Sequence, residues 1–160
     1  SDAEPPEAVR RVVYHAHTPN VIALSLLLEP DARVFTRVLW KAVTECIMAI
    51  PRGVGVVGWT LPGSVELARE TARLMERFDV VVWAQHGTVC AGTDFDMAFG
   101  LMHSMEKAAG IYLRARMANG GSAVFEQPIT DAHLRAISDD LGLPVTDEFL
   151  GRGSAREQSR

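Results

Sequence analysis

The sequence predicts an α/β fold in which short β-branched segments alternate with longer helical ones. Two strands are indicated by composition. Val12 and Val13 begin an extended run that reaches His17, and Val80–Ala84 is almost continuously apolar, as in a buried strand. The segments between them begin with helix-capping residues and carry apolar positions at helical spacing. The predicted caps are Thr18, Asp31, Ser64 and Thr130.

The size and charge of the chain limit the class of protein. Its 160 residues, 48% hydrophobic and 22% charged, suffice for one globular domain with a core. The net charge of -4 disfavours a nucleic-acid binder, because phosphate binding draws on a basic surface. There is no recognisable signal peptide and no apolar run of membrane-spanning length. Cys46 and Cys90 form no CxxC pair, which favours a reducing, cytoplasmic location, although their spacing is compatible with a disulfide.

The first two helices are predicted from their caps and from proline. Thr18 and Pro19 begin a helix that is expected to end near Leu28, before Pro30. Asp31 caps a second helix, expected over residues 32–42. The apolar segment that follows, up to Pro51, has no assigned structure.

A glycine-rich segment, Gly53–Gly58, matches the GxGxxG pattern of dinucleotide-binding loops by letter. In such proteins the pattern follows a strand and opens a helix. Here it follows Pro51-Arg52 and continues into Trp59–Pro62, without a helix start. We therefore predict a glycine-rich strand with bulges and disfavour nucleotide binding.

The C-terminal half is predicted by the same rules. Its turns and caps lie at residues 62–64, 93–96 and 130, with glycines after two of the helices. Residues 1–150 are expected to form one domain, and the polar residues 151–160 a frayed tail. The expected elements are a helix over 65–78, strands over 80–84 and 88–91, a long helix from 93–96 to about Asn119, and a helix over 131–141.

Three histidines form a candidate metal site. Side chains alternate faces along a strand, so His15 and His17 project to the same side. His86 follows the apolar strand that begins at Val80, where a side chain can meet a neighbouring strand. Three imidazoles without cysteine suit a catalytic zinc site that keeps an open position. The alternative is a pair of hydrogen-bonded histidines without metal.

The chain resembles the class II aldolase/adducin family through a series of short motifs in the family's order, from about residue 10 to 145. Each motif alone is weak, but the full series is specific. The matching residues are His15-Ala16-His17, Asn20, Ala23-Leu24, Phe35-Thr36-Arg37, Leu39-Trp40, Thr44-Glu45-Cys46, Gly53-Val54-Gly55, Trp59, Pro62-Gly63-Ser64, Glu66, His86-Gly87, Phe99-Gly100-Leu101 and Glu106-Lys107.

The resemblance implies a fold and a site. The fold is an α/β/α sandwich around a largely antiparallel sheet, usually assembled as a homotetramer with active sites between subunits. His15, His17 and His86 would bind one Zn²⁺ per chain. Glu45 matches a glutamate that reaches a neighbouring subunit's site and acts in proton transfer. The family's main acid–base glutamate and phosphate-binding loops lie upstream of the histidine pair. The chain is therefore expected to correspond to the C-terminal portion of a family member, with an N-terminal part missing.

The implied activity is zinc-dependent cleavage of a sugar phosphate. In the most similar branch of the family, L-rhamnulose 1-phosphate gives dihydroxyacetone phosphate and L-lactaldehyde. The alternatives are an L-fuculose-phosphate aldolase, a pentose-phosphate 4-epimerase, a sugar-phosphate dehydratase or a non-catalytic, adducin-like assembly module. No nucleic-acid or membrane partner is expected. His103 and His133 are predicted to be surface or hydrogen-bonded residues, and Trp40, Trp59 and Trp83 are predicted to lie in the core.

Overall fold

A computed structural model describes residues 9–151, so the predicted tail, apart from Gly151, lies outside the described residues. The described part of the chain forms a sheet flanked by helices. The strands are β1 (Val12–Ala16), β2 (Gly55–Val57), β3 (Val80–Trp83) and β4 (Gly87–Gly92). The helices are α1 (Pro19–Ser25), α2 (Ala32–Trp40), α3 (Glu45–Ala49), α4 (Val65–Met75), α5 (Phe95–Ala118) and α6 (Asp131–Leu141).

The four strands lie in the order β1-β4-β3-β2. Strand β4 is antiparallel to both of its neighbours, whereas β2 is parallel to β3. The prediction of an α/β fold with a largely antiparallel sheet is confirmed. The register pairs His15 with Val89, and Trp83 with Gly87. Strand β1, which carries His15, therefore lies beside the start of β4, and β4 itself begins directly after His86.

Helices cover the two faces of the sheet, which gives three layers. Val80 and Val82 belong to the main core with α1, α2, α3 and α5, whereas Val81 packs with Leu67 of α4. Since alternate residues of a strand face opposite sides, α4 covers the second face. The largest fully buried side chains of the main core are Trp40, Phe35, Phe149, Leu24, Leu39, Ile47 and Met105.

Several element predictions need correction. The unassigned segment before Pro51 contains the short helix α3, whose five residues are too few to show a helical period. Strand β2 pairs with β3 at three consecutive positions, so the strand prediction holds, but the paired residues contain no bulge. The long helix, predicted to start within residues 93–96, begins after Asp94, whose carboxylate accepts a hydrogen bond from the Met97 amide.

None of the helices among residues 9–151 is long and apolar enough to cross a bilayer.

The cap of α1 differs from the prediction. Thr18 occupies the N-cap position, but its hydroxyl makes no cap hydrogen bond and instead pairs with the Thr88 hydroxyl at 2.7 Å. The Glu106 carboxylate of α5 accepts hydrogen bonds from the backbone amides of Asn20 and Val21, with N···O distances of 2.9 and 3.0 Å. The first free amides of α1 are thus satisfied by a residue more than eighty positions away.

Candidate metal centre

Strand β1 places two of the predicted ligands. Burial alternates along the strand, with Tyr14 turned towards Phe95 and Phe99 of α5. His15 and His17 are exposed on the opposite face, as their spacing predicted.

A tight turn places the third predicted ligand. The His86 amide donates to the Trp83 carbonyl at 3.0 Å, which closes the turn between β3 and β4. Gln85, at the third position of this turn, has φ +59°, the left-handed conformation that non-glycine residues rarely adopt. His86 therefore leaves the sheet at the edge where β1 ends.

The three imidazoles converge. His15, His17 and His86 each offer one nitrogen, and these atoms lie within 4.8 Å of one another. The ring centroids are 5.1 to 5.2 Å apart. Within residues 9–151 this is the group of potential ligands close enough to share an ion, and no carboxylate or thiol belongs to it. Neutral imidazoles at this spacing suit zinc and related divalent ions.

The electrostatics of the cluster favour a neutral ring at His86. Burial lowers the pKa of His86, and the neighbouring His15 and His17 lower it further. A neutral imidazole keeps a lone pair for a metal, whereas an imidazolium does not. The buried Nδ1 atom of His86 has no hydrogen-bond partner, so the ring is not engaged as in a structural histidine. The donor set and the free nitrogen together fit a bound cation.

The orientation of His15 is fixed by the backbone. Its Nδ1 atom lies 3.0 Å from the carbonyl oxygen of Thr88, which can only accept a hydrogen bond. The proton is therefore on Nδ1, and the Nε2 lone pair remains available. Carbonyl partners of this kind orient metal-binding histidines in many proteins.

Trp83 is a site residue that sequence reasoning missed, because it was predicted to be core. Its ring lies 4.7 Å from that of His15 and 5.0 Å from that of His86. Its Nε1–H donates to Thr71 of α4 at 2.8 Å, which fixes the indole. Trp40 is buried as predicted, whereas Trp59 is 71% exposed and the prediction for it is wrong. The sequence did offer one signal that Trp83 belongs to the site: it is a large apolar residue at the start of the turn that ends at His86.

A groove of about 590 Å³ adjoins the cluster, between the sheet and α4. Its walls are mostly apolar and include His15, Val89, Trp83 and Leu67. Arg10 also lines the groove, but its guanidinium donates to the Met75 and Phe78 carbonyls and lies 3.6 Å from the Asp79 carboxylate. The groove therefore offers apolar surface beside the histidines rather than a free positive charge from Arg10.

The remaining predicted polar residues lie apart from the cluster. Glu45 is exposed at the first position of α3 and is not among the converging ligands. His103 stacks on Phe99 on the surface of α5. His133 completes the capping box of α6 with Thr130. The two histidines match their predictions, and the role of Glu45 stays a prediction.

A three-layer α/β fold that presents three histidines at one edge of its sheet defines a class of candidate metal-binding proteins. The family model described as Class II Aldolase and Adducin N-terminal domain matches residues 8–113. The chain belongs to this family.

Similar proteins point to the same family. The chain is 37% identical over 140 residues to the rhamnulose-1-phosphate aldolase of Listeria monocytogenes serovar 1/2a, covering 88% of this chain and 50% of that protein. It is 40% identical over 140 residues to the rhamnulose-1-phosphate aldolase of Enterococcus faecalis, covering 88% and 49%. The chain thus spans about half the length of the curated relatives it matches.

Solved structures share the fold. A sugar-phosphate aldolase from Thermotoga maritima superposes with a TM-score of 0.60 at 32% identity, covering 70% of this chain and 47% of that chain. The L-fuculose-1-phosphate aldolase of Thermus thermophilus gives a TM-score of 0.58 at 22% identity, covering 72% and 58%. These likenesses confirm the class II aldolase-like fold.

Proposed function

We propose that this chain carries the metal centre of an aldolase that cleaves L-rhamnulose 1-phosphate to dihydroxyacetone phosphate and L-lactaldehyde. The observation that carries the proposal is the convergence of His15, His17 and His86 within 4.8 Å. The relatives named rhamnulose-1-phosphate aldolase support the substrate, at 37 to 40% identity over 140 residues. A non-catalytic assembly module would not require three converging imidazoles.

In this proposal each residue at the site has a role. His15, His17 and His86 hold one divalent ion, with Zn²⁺ expected from the all-imidazole donor set. Such an ion supplies Lewis-acid polarisation of a substrate carbonyl. The Thr88 carbonyl keeps the His15 ring in the metal-binding tautomer. Trp83 packs against the rings of His15 and His86 and lines the adjoining groove.

Proton transfer requires groups outside the histidine cluster. None of the carboxylates of residues 9–151 belongs to the cluster. We propose that Glu45, exposed on α3, serves the site of a neighbouring subunit in a homotetramer. The 160-residue chain by itself is then expected to turn over substrate slowly, and a longer form with the family's acid–base glutamate to do so efficiently.

The test is release of dihydroxyacetone phosphate from L-rhamnulose 1-phosphate by a zinc-loaded form of the protein that spans the full length of its relatives. Glu45→Gln is expected to keep zinc and oligomeric state but to lose about two to four powers of ten in rate. Glu126→Gln, another exposed glutamate, is the matched control and should leave the rate unchanged. An unchanged rate in Glu45→Gln would remove Glu45 from the mechanism.

The second candidate is cleavage of L-fuculose 1-phosphate, favoured by the structural likeness to an enzyme of that name. The two ketose phosphates differ in stereochemistry, so the same assay with each substrate separates them. A clear preference for the fuculose substrate would overturn the proposed substrate but leave the metal centre. Absence of turnover with both substrates, in a zinc-loaded tetramer of the form that spans the full length of the relatives, would favour the assembly module.

A further inference from the structure

Helix α1 contacts the turn that carries His86. The Gln85 amide donates to the Ser25 hydroxyl at 2.8 Å, and the Gln85 side-chain amide donates to the Ser25 carbonyl at 2.7 Å. Ser25 is the last residue of α1 and is 4% exposed. Two hydrogen bonds therefore join the end of a helix to the residue directly before a metal-binding histidine.

These bonds hold Gln85 in an unfavourable conformation. Its φ of +59° suits glycine or asparagine better than glutamine. The Ser25 hydroxyl also donates to the Ile22 carbonyl at 2.7 Å, so its orientation is fixed within α1. Backbone strain persists only where the surroundings impose it, and it often occurs at functional sites. The direction in which His86 leaves the turn thus depends on Ser25.

The other end of α1 lies close to His17 in the sequence. Pro19 begins the helix two residues after His17, and Glu106 anchors the amides of Asn20 and Val21. Helix α1 therefore begins shortly after His17, where Glu106 of α5 binds its first amides. At its other end, Ser25 contacts Gln85, the residue before His86.

We propose that Ser25 and Gln85 are positioning residues that hold His86 in register with His15 and His17, so that α1 pre-organises the metal centre. This inference rests on the proposed metal function. Outer contacts that orient ligands typically change metal affinity by about 10- to 100-fold. Loss of the hydrogen bonds between Ser25 and Gln85 should therefore weaken metal binding and alter coordination geometry while the protein remains folded.

The experiment uses the full 160-residue chain and Co²⁺, whose visible absorption reports coordination geometry. Ser25→Ala removes the acceptor of the Gln85 amide, and Gln85→Ala removes the side-chain bond from an exposed position. Ser104→Ala, at a half-buried serine of α5, is the matched control. The Co²⁺ affinity and spectrum are measured well below the melting temperature of each variant.

We expect Ser25→Ala to weaken Co²⁺ binding about tenfold or more and to shift its absorption bands, with the control unchanged. If Ser25→Ala does not fold, Gln85→Ala carries the test, with weaker binding and a shifted spectrum expected. Wild-type affinity and spectrum in the folded variants would overturn the inference while leaving the metal centre intact. A wild-type chain that bound no Co²⁺, or bound it as well after His86→Ala, would instead overturn the proposed function itself and this inference with it.

Discussion

Gly87 packs so closely against Ala16 that a β-carbon on it would lie 2.4 Å from the Ala16 carbonyl oxygen. It would also lie 3.2 Å from the α-carbon of His17. Neither neighbour is a flexible side chain, so the backbone itself must move to admit a methyl group. The close approach of β4 to β1, which brings His86 towards His17, therefore requires glycine.

Gly87→Ala is expected to destabilise the chain by about 2–3 kcal/mol, because overpacking forces the backbone to shift, and to weaken metal binding. Gly100→Ala is the control, since a β-carbon there meets nothing within 4 Å. Alanine in an exposed helical position should raise stability by up to about 1 kcal/mol. Urea unfolding of both variants checks the signs. Equal stability of Gly87→Ala and wild type would contradict the close-approach argument.

Glu106 links α5 to the start of α1 through three hydrogen bonds, two to backbone amides and one to the Asn20 side chain. Glu106→Gln keeps the shape but loses the charge and one acceptor. We expect a loss of about 1–2 kcal/mol in the free energy of unfolding. Denaturant midpoints for this variant and for the exposed Lys107→Gln supply the comparison. Equal effects of the two changes would show that the cap contributes nothing specific.

Both cysteines are expected to be inert in the folded chain. Burial raises the pKa of the Cys46 thiol to about 12, and burial with the nearby Asp79 charge raises that of Cys90 to about 12. At pH 8 on the order of one thiol in ten thousand is then the reactive thiolate. A disulfide-exchange dye should label the folded chain very slowly and label two thiols per chain once it is unfolded. Rapid labelling of the folded chain would contradict this burial.

Asp131 anchors α6 to α2. Burial alone would raise its pKa, but hydrogen bonds and attraction from Arg37 and Lys41 lower it below the usual value of 3.8. A lowered folded-state pKa means that the contribution to stability is present above pH 3.8 and is lost as pH falls through the folded value.

Asp131→Asn is therefore expected to cost about 1–2 kcal/mol at neutral pH, and the difference from wild type should shrink in acid. Asp140→Asn, an exposed change on the same helix, is the control and should change stability little at either pH. The measurement is the free energy of unfolding at pH 7 and near pH 3. A gap between wild type and Asp131→Asn that is constant with pH would exclude the ion pairs as its source.

The sequence was most informative where the determinants are local. The two-residue period of β1 placed His15 and His17 on one face, and the end of β3 pointed to His86. The caps Asp31, Ser64 and Thr130 were predicted correctly, because each bonds an amide three residues along. Such contacts depend on a few neighbouring residues and can be read from them.

The sequence was least informative where distant segments meet. The cap of α1 comes from Glu106, and no local pattern connects them. The sequence does not distinguish the surroundings of Trp59 from those of Trp83. In the structure Trp59 is exposed, whereas Trp83 packs on His15 and His86. Only the sheet order decides which tryptophan reaches the site.

The central claim, a divalent metal centre formed by three histidines, is tested most directly by metal stoichiometry. Elemental analysis of the purified chain after equilibration with Zn²⁺ and removal of excess metal should give one ion per chain. His15→Ala, His17→Ala and His86→Ala should each lose most of it, whereas His103→Ala, on the surface of α5, should retain it. Full zinc occupancy in folded His86→Ala would contradict the claim.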